Sequence, residues 1–225
     1  MKRLLLIAVL LMTSMPLFAQ NDVTRFLEIP VDGFKSDMIQ KLKDKGFVEV
    51  PYREDVLTGE FNGRAVNLHV VTNNNKVYRI MLCDKNDSNE TSIKIRFNTL
   101  CHQFVNNSNY YSPKEQTIPD EEDISYEMTV NNKRYEAVFY QKILQVDTVA
   151  MQNKVEQQLM QKYTQEQIDS QPEEVNEYAS QLSLSFILDL LSKKTVWFMI
   201  SEFRGNYSIV MYYDNEYNKA NGEDL

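Results

Sequence analysis

The chain has 225 residues, with 32 acidic side chains against 24 basic ones and a formal charge of −8. That length supports one large or two small packed domains. The acidic balance argues against nucleic acid or an anionic membrane surface as partner, because both demand a positive stripe.

At the start, Lys2 and Arg3 precede an apolar run from Leu4 to Met12, followed by Pro16 and a small Ala19 before Gln20. This is the pattern of a secretory signal peptide, residues 1–19, cut after Ala19. Its apolar core is too short to span a bilayer, and no cysteine follows the cut to receive a lipid. The expectation is a periplasmic or secreted protein of about 206 residues, with no membrane insertion after cleavage. Without Lys2 and Arg3, 22 basic residues face 32 acidic ones, and the charge is −10.

Met38, Ile39 and Leu42 recur at helical spacing between Lys35 and Lys45, and Gly46 ends that helix. Alternating segments follow at Val56 to Phe61, Ala65 to Thr72 and Val77 to Cys83. Asn62-Gly63 marks a type I′ hairpin and Asn73-Asn74-Asn75 the next reversal. Val66, Leu68 and Val70 alternate with Asn67 and His69, so one apolar face lies against the helix.

A second amphipathic stripe, Ile93, Phe97, Leu100, Cys101 and Phe104, predicts a helix from Glu90 to Val105. Strands are then expected at Ile124 to Val130 and Arg134 to Ile143, turning at Asn131-Asn132. Phe61-Asn62-Gly63-Arg64 would thus align with Val130-Asn131-Asn132-Lys133, as in a duplicated unit, with chance as the rival explanation. From Asp147 to Lys194 the period is helical, with a break at Pro172, which predicts two helices. The closing strands, Val196 to Phe203 and Tyr207 to Tyr213, reverse at Gly205-Asn206 and read as apolar on both faces. The helical hairpin is the natural second cover. Leu182 to Leu191 contains Asp189 and is too short to cross a membrane.

The expected fold class is therefore α+β: tandem helix-plus-antiparallel-meander units over 20–88 and 89–225, with a helical hairpin inserted in the second at 147–194.

Cys83 and Cys101 would meet an oxidising compartment, so they are either bridged or two buried free thiols. His69 and His102 are the only histidines, and neither has a carboxylate or serine at a spacing that makes a base or a metal ligand. Cys101 and His102 point about 100° apart on a helix and do not form a nucleophile pair. The run Asp120-Glu121-Glu122-Asp123 and the tail Asp214-Asn215-Glu216-Tyr217-Asn218 lack the glycine and terminal glutamate of a calcium loop. No nucleophile elbow, zinc helix, phosphate loop or dinucleotide fingerprint occurs, and no cofactor is expected. Thirteen tyrosines remain. Tyr110, Tyr111, Tyr207, Tyr212 and Tyr213 are the candidate contact surface, with strand propensity the structural alternative.

The segments Gly59 to Arg64 (GEFNGR), Asn73 to Met81 (NNNKVYRIM) and Val210 to Leu225 (VMYYDNEYNKANGEDL) resemble a family of uncharacterised exported proteins of Bacteroidales. That resemblance implies no activity. Within that resemblance, Asp147-Thr148-Val149 is similar to the three-residue O-glycosylation site of that group. The doubled helix-plus-meander also looks like the tandem fold of β-lactamase-inhibitor-like (BLIP-like) proteins and of small envelope assembly lipoproteins, which present a sheet face to another protein. The absent lipid-bearing cysteine departs from the latter.

Two functions are expected to compete. One is a non-catalytic binding module that engages a protein or glycan through a sheet face. The other is a carboxylate-dependent hydrolase of the cell envelope, with Glu60, Glu136 or Glu202 on one concave face and carboxylates about 5 to 10 Å apart.

Overall fold

Strict alternation of apolar residues, interrupted by residues that tolerate positive φ, dictates a chain of hairpins. In the computed structural model, which describes residues 22–53 and 55–220, that chain becomes one eight-stranded antiparallel sheet. The signal-peptide expectation lies outside the described residues.

The first unit comprises helix α1 (Lys35–Asp44) and strands β3 (Val48–Glu49), β4 (Val56–Phe61), β5 (Arg64–Asn73) and β6 (Lys76–Asp84). A short hairpin, β1 (Arg25–Phe26) and β2 (Ile29–Pro30), precedes it. The second unit has helix α2 (Glu90–Asn106), β7 (Tyr110–Tyr111), helix α3 (Ile124–Val130), β8 (Glu136–Gln141), β9 (Thr195–Phe203) and β10 (Asn206–Asp214). Between β8 and β9 stand helices α4 (Thr148–Lys162), α5 (Gln165–Ser170) and α6 (Glu173–Ser192).

The strand order is β3-β4-β5-β6-β10-β9-β8-β7, the same from either edge inward. Each unit therefore runs from its own edge to the centre, where β6 and β10 pair with Tyr212 opposite Met81 and Val210 opposite Cys83. Turn chemistry drives the hairpins, because a two-residue loop with both φ positive matches the strand twist. Asn62-Gly63, Asn74-Asn75 and Arg204-Gly205 all adopt that geometry. The last reversal thus falls one residue earlier than Gly205-Asn206.

Both helices lie on one face of the sheet and share one core. Helix α1 buries Met38 and Leu42, and Gly46 at φ +97° turns the chain out of it with its N–H on the Lys43 carbonyl. Helix α2 is capped by Asn89, which accepts from the Ser92 N–H at 2.8 Å, and buries Ile93, Phe97, Leu100, Cys101 and Phe104. These pack on Leu57, Leu68, Ile80 and Leu82 from the first unit and on Phe139, Val196, Phe198 and Ile200 from the second. Asp84 at the end of β6 takes both Arg96 Nε at 2.7 Å and a second guanidinium nitrogen at 2.6 Å, and also accepts the Ile209 N–H. This buried fork ties α2 to the seam between the units.

Three expectations need correction. Ile124 to Val130 is a helix. Asp123 caps it by accepting from the Tyr126 N–H at 2.8 Å, and Glu90 accepts from the Ile124 N–H at 3.0 Å. Ile124 and Met128, four apart, face the core. Val130-Asn131-Asn132-Lys133 is consequently a helix exit and does not match the Asn62-Gly63 hairpin turn. The insertion contains three helices, with α5 started by a Thr164–Gln167 capping box. Finally, β9 and β10 are buried on one face only: Val196, Phe198 and Ile200 are inaccessible while Trp197 and Met199 between them are half-exposed. The helical hairpin packs chiefly on itself, with Leu159 and Val175 buried, and meets the sheet at β8.

Gly59 lies under the ring of Phe47, and a β-carbon there would come within 2.7 Å of it. Gly59→Ala should therefore cost about 1–3 kcal/mol, because Phe47 must leave its core position. Leu184→Ala, on the exposed helix α6, should stay within about 0.5 kcal/mol. Urea denaturation of both variants measures the difference.

Candidate functional site

Because α1 and α2 cover one face, the pleat sends every other strand residue to the opposite, open face. Cross-strand register there brings His69, Met81, Tyr212, Trp197 and Val138 into one row across five strands. A neighbouring row holds Asn67, Cys83, Val210, Met199 and Glu136.

At the centre, the Trp197 and Tyr212 rings stack at 4.0 Å between centroids, 19° from parallel. The Arg79 guanidinium sits 4.7 Å from the Tyr212 ring centre and 5.7 Å from that of Trp197. Asp214 holds the group together, accepting from Arg79 Nε at 2.5 Å, from a second Arg79 nitrogen at 2.7 Å and from the Trp197 indole N–H at 3.0 Å. The hydrogen bond to Asp214 keeps Arg79 firmly protonated, and burial pushes the Tyr212 hydroxyl up. His69 at the end of the row is held below its usual value by burial and by Arg53, so it stays neutral near pH 7. The result is an aromatic platform that carries the Arg79–Asp214 ion pair and is flanked by two methionines, with few convergent hydrogen-bonding groups.

On the other side of the sheet, a cleft of about 640 Å³ opens between the units. Met211 and Tyr213 of β10 form its floor, with Phe61 on one wall and Phe104 and Tyr110 on the other. Tyr213 is buried, which with its hydrogen bond to Tyr110 drives its hydroxyl well above the usual range. No helix among the described residues is long and apolar enough to cross a membrane.

The five singled-out tyrosines divide between these settings. Tyr212 belongs to the open face, and exposed Tyr111 pairs with Tyr140 on the same register. Tyr213 and Tyr207 are core residues on the helix side, and Tyr110 lines the cleft. They are therefore not one contact surface. The platform's main element, Trp197, was missed. The signal was present as Trp197 alternating with buried Val196 and Phe198, and the assumption of two covered faces hid it.

The carboxylates proposed for hydrolysis do not converge. Glu60 on β4 and Glu136 on β8 are five strand spacings apart, roughly 24 Å measured along the sheet. Glu202 lies on the opposite register and accepts from the Gly205 N–H in its own turn at 2.6 Å. The acidic run is similarly occupied. Glu122 binds Lys133 and the Tyr135 hydroxyl, which hold its carboxyl below the usual range, while Asp123 caps α3. In the tail, Asp214 serves Arg79, Asn215 donates to the Val31 carbonyl and Asn218 to Asp32 and the Val77 carbonyl. No cluster of three or more His, Cys, Asp or Glu side chains able to hold a metal occurs among the described residues. His102 is exposed beside a shallow depression, whereas Cys101 points into the core.

Cys83 and Cys101 are free thiols on opposite sides of the sheet, and no bridge forms between them. Burial lifts Cys101 to about 12 and raises Cys83 as well. Comparison with protein-family models, curated proteins and solved structures finds no match to this chain.

Two outcomes follow. Thiol titration of the folded, unreduced protein should label Cys83 slowly and spare Cys101, with both thiols reacting in denaturant without reductant. A disulfide would yield none. For Glu122, whose carboxyl is lowered on folding, the unfolded chain binds the extra proton. Its contribution is full above about pH 4.5 and fades as pH falls through the folded value. Stability of Glu122→Gln should thus fall less between pH 5 and pH 3 (roughly the carboxylate range) than that of the parent.

Proposed function

We propose that the protein is an exported binding module that engages another protein through the open face of its sheet. The Trp197–Tyr212–Arg79 platform carries this reading. Trp, Tyr and Arg are the side chains that dominate protein interfaces when rigid and central, and here Asp214 holds Arg79 and Trp197 while Tyr212 stacks on the Trp197 ring. Met81 and Met199 beside them offer adaptable apolar contact. A broad sheet surface without convergent polar groups suits a protein surface better than a small substrate, and the separated carboxylates give hydrolysis no support.

The resemblance to exported Bacteroidales proteins favours action in the periplasm or outside the cell, and the mirrored strand order supports descent from a duplicated helix-plus-meander unit. Thr148 is exposed and so open to O-glycosylation, although Asp147 is already used as the cap of α4, accepting from the Ala150 N–H at 2.9 Å.

The test uses two baits, the exported chain and its Trp197→Ala/Tyr212→Ala variant, against envelope extract of the organism that makes it. A protein retained by the first and lost from the second is then purified and its affinity measured. The platform should contribute at least about 2 kcal/mol, or roughly thirtyfold in Kd. Equal retention by both baits would overturn the reading.

A further inference from the structure

Beyond the open face, we infer that the cleft between the two units is a separate site for a short, uncharged oligosaccharide. Its volume, about 640 Å³, lies within the ~300–1,000 Å³ of small-molecule sites. What selects the ligand class is the lining.

Aromatic rings come from both units. Phe61 stands edge-on to Tyr213 with centroids 6.4 Å apart, and Tyr110 stands edge-on to Phe104 at 4.8 Å. Phe61 and Tyr110 are half-exposed and line the cleft from the two units, so apolar ring surface borders it on two sides. Amide side chains supply the polar groups at the mouth: Asn62 and Gln103, which hydrogen-bond across it at 2.7 Å, with Asn107 and Asn109 beside them. Amides both donate and accept, which matches hydroxyl groups that do the same.

Charges on the lining cancel. Lys194 is neutralised by Asp22 at 2.6 Å, leaving Arg25 and Lys142 against Glu28 and Glu60. An anionic or cationic ligand finds no net attraction there, and an acyl chain would take water from the amides and charges while offering them no hydrogen bond in return. A sugar, with apolar C–H faces for the rings and hydroxyls for the amides, satisfies both kinds of surface.

The site is also held in advance of any ligand. Gln141 binds the Arg25 backbone in both directions, each at 2.7 Å, and donates to the Tyr110 hydroxyl at 3.1 Å. This fixes the β1–β2 turn, where Leu27 and Glu28 both sit at positive φ on the rim of the cleft. Such backbone is costly for side-chain-bearing residues and persists because its surroundings enforce it.

The test is NMR titration of the exported chain with cellotriose, maltotriose and chitotriose, with decanoate as the apolar contrast. At least one trisaccharide should saturate, shifting the side-chain amides of Asn62, Gln103 and Asn109 and the ring of Tyr110. Gln103→Ala and Asn109→Ala, both exposed polar positions, should each weaken it about fivefold, and Trp197→Ala should leave it unchanged. The inference fails if no trisaccharide saturates by about 10 mM, if decanoate alone saturates, or if the shifts fall on Trp197 and Tyr212.

Discussion

The pairing of β6 with β10 is the constraint on which the rest depends. Each unit ends on its innermost strand, and those two strands complete each other's hydrogen bonding across five paired positions, from Val210 opposite Cys83 to Asp214 opposite Arg79. An unpaired strand edge exposes a row of donors and acceptors, so neither unit presents a finished sheet alone. Once joined, they bring α1 and α2 onto the same side, and the side chains beneath them merge into a single apolar core. The Asp84–Arg96 fork locks α2 to the strand at the seam. Residues 22–31 close the arrangement: Phe26 inserts against Phe61 and Tyr213, and Asn215 donates to the Val31 carbonyl.

One-sided cover follows from that seam, and it gives the two faces different physical roles. Beneath the helices the valley between the units leaves a cleft floored by β10. On the other side the same strand presents Tyr212 to Trp197. Alternate residues of a single strand therefore face a cavity of mixed aromatic and amide lining on one side and a flat aromatic platform on the other. Asp214 is the point where the seam and the platform meet, because its side chain holds Arg79 and Trp197 while its carbonyl accepts from the Thr24 hydroxyl. The large insertion leaves this arrangement intact because it replaces a hairpin turn at the end of two strands and buries its own Leu159 and Val175.

Local signals in the sequence were strongest where a single residue type permits the geometry. Asn62-Gly63 marked a turn that only positive-φ residues make easily, and Gly46 marked the end of α1. The stripe from Ile93 to Phe104 located α2 to within a residue. Errors arose where two periods were compatible with the same residues. Ile124 to Val130 has the β-branched content of a strand, but Asp123 as cap and Glu90 on the next N–H tip it to helix. Leu27-Glu28 carries no turn chemistry, and its hairpin exists because Phe26 is buried and Gln141 pins Arg25. Trp197, Arg79 and Asp214 lie in three separate strands, so their convergence depends on register that no local pattern encodes. The same is true of the cleft, whose walls come from opposite ends of the sheet.

Hydroxyl-radical footprinting of the folded protein, read residue by residue along β9 and β10, tests the one-sided sheet most directly. The account predicts alternation: Trp197, Met199 and Tyr212 modified, with Phe198, Met211 and Tyr213 protected until the protein unfolds. Uniform protection of both sets along these strands would mean that the face bearing Trp197 is covered, and would contradict it.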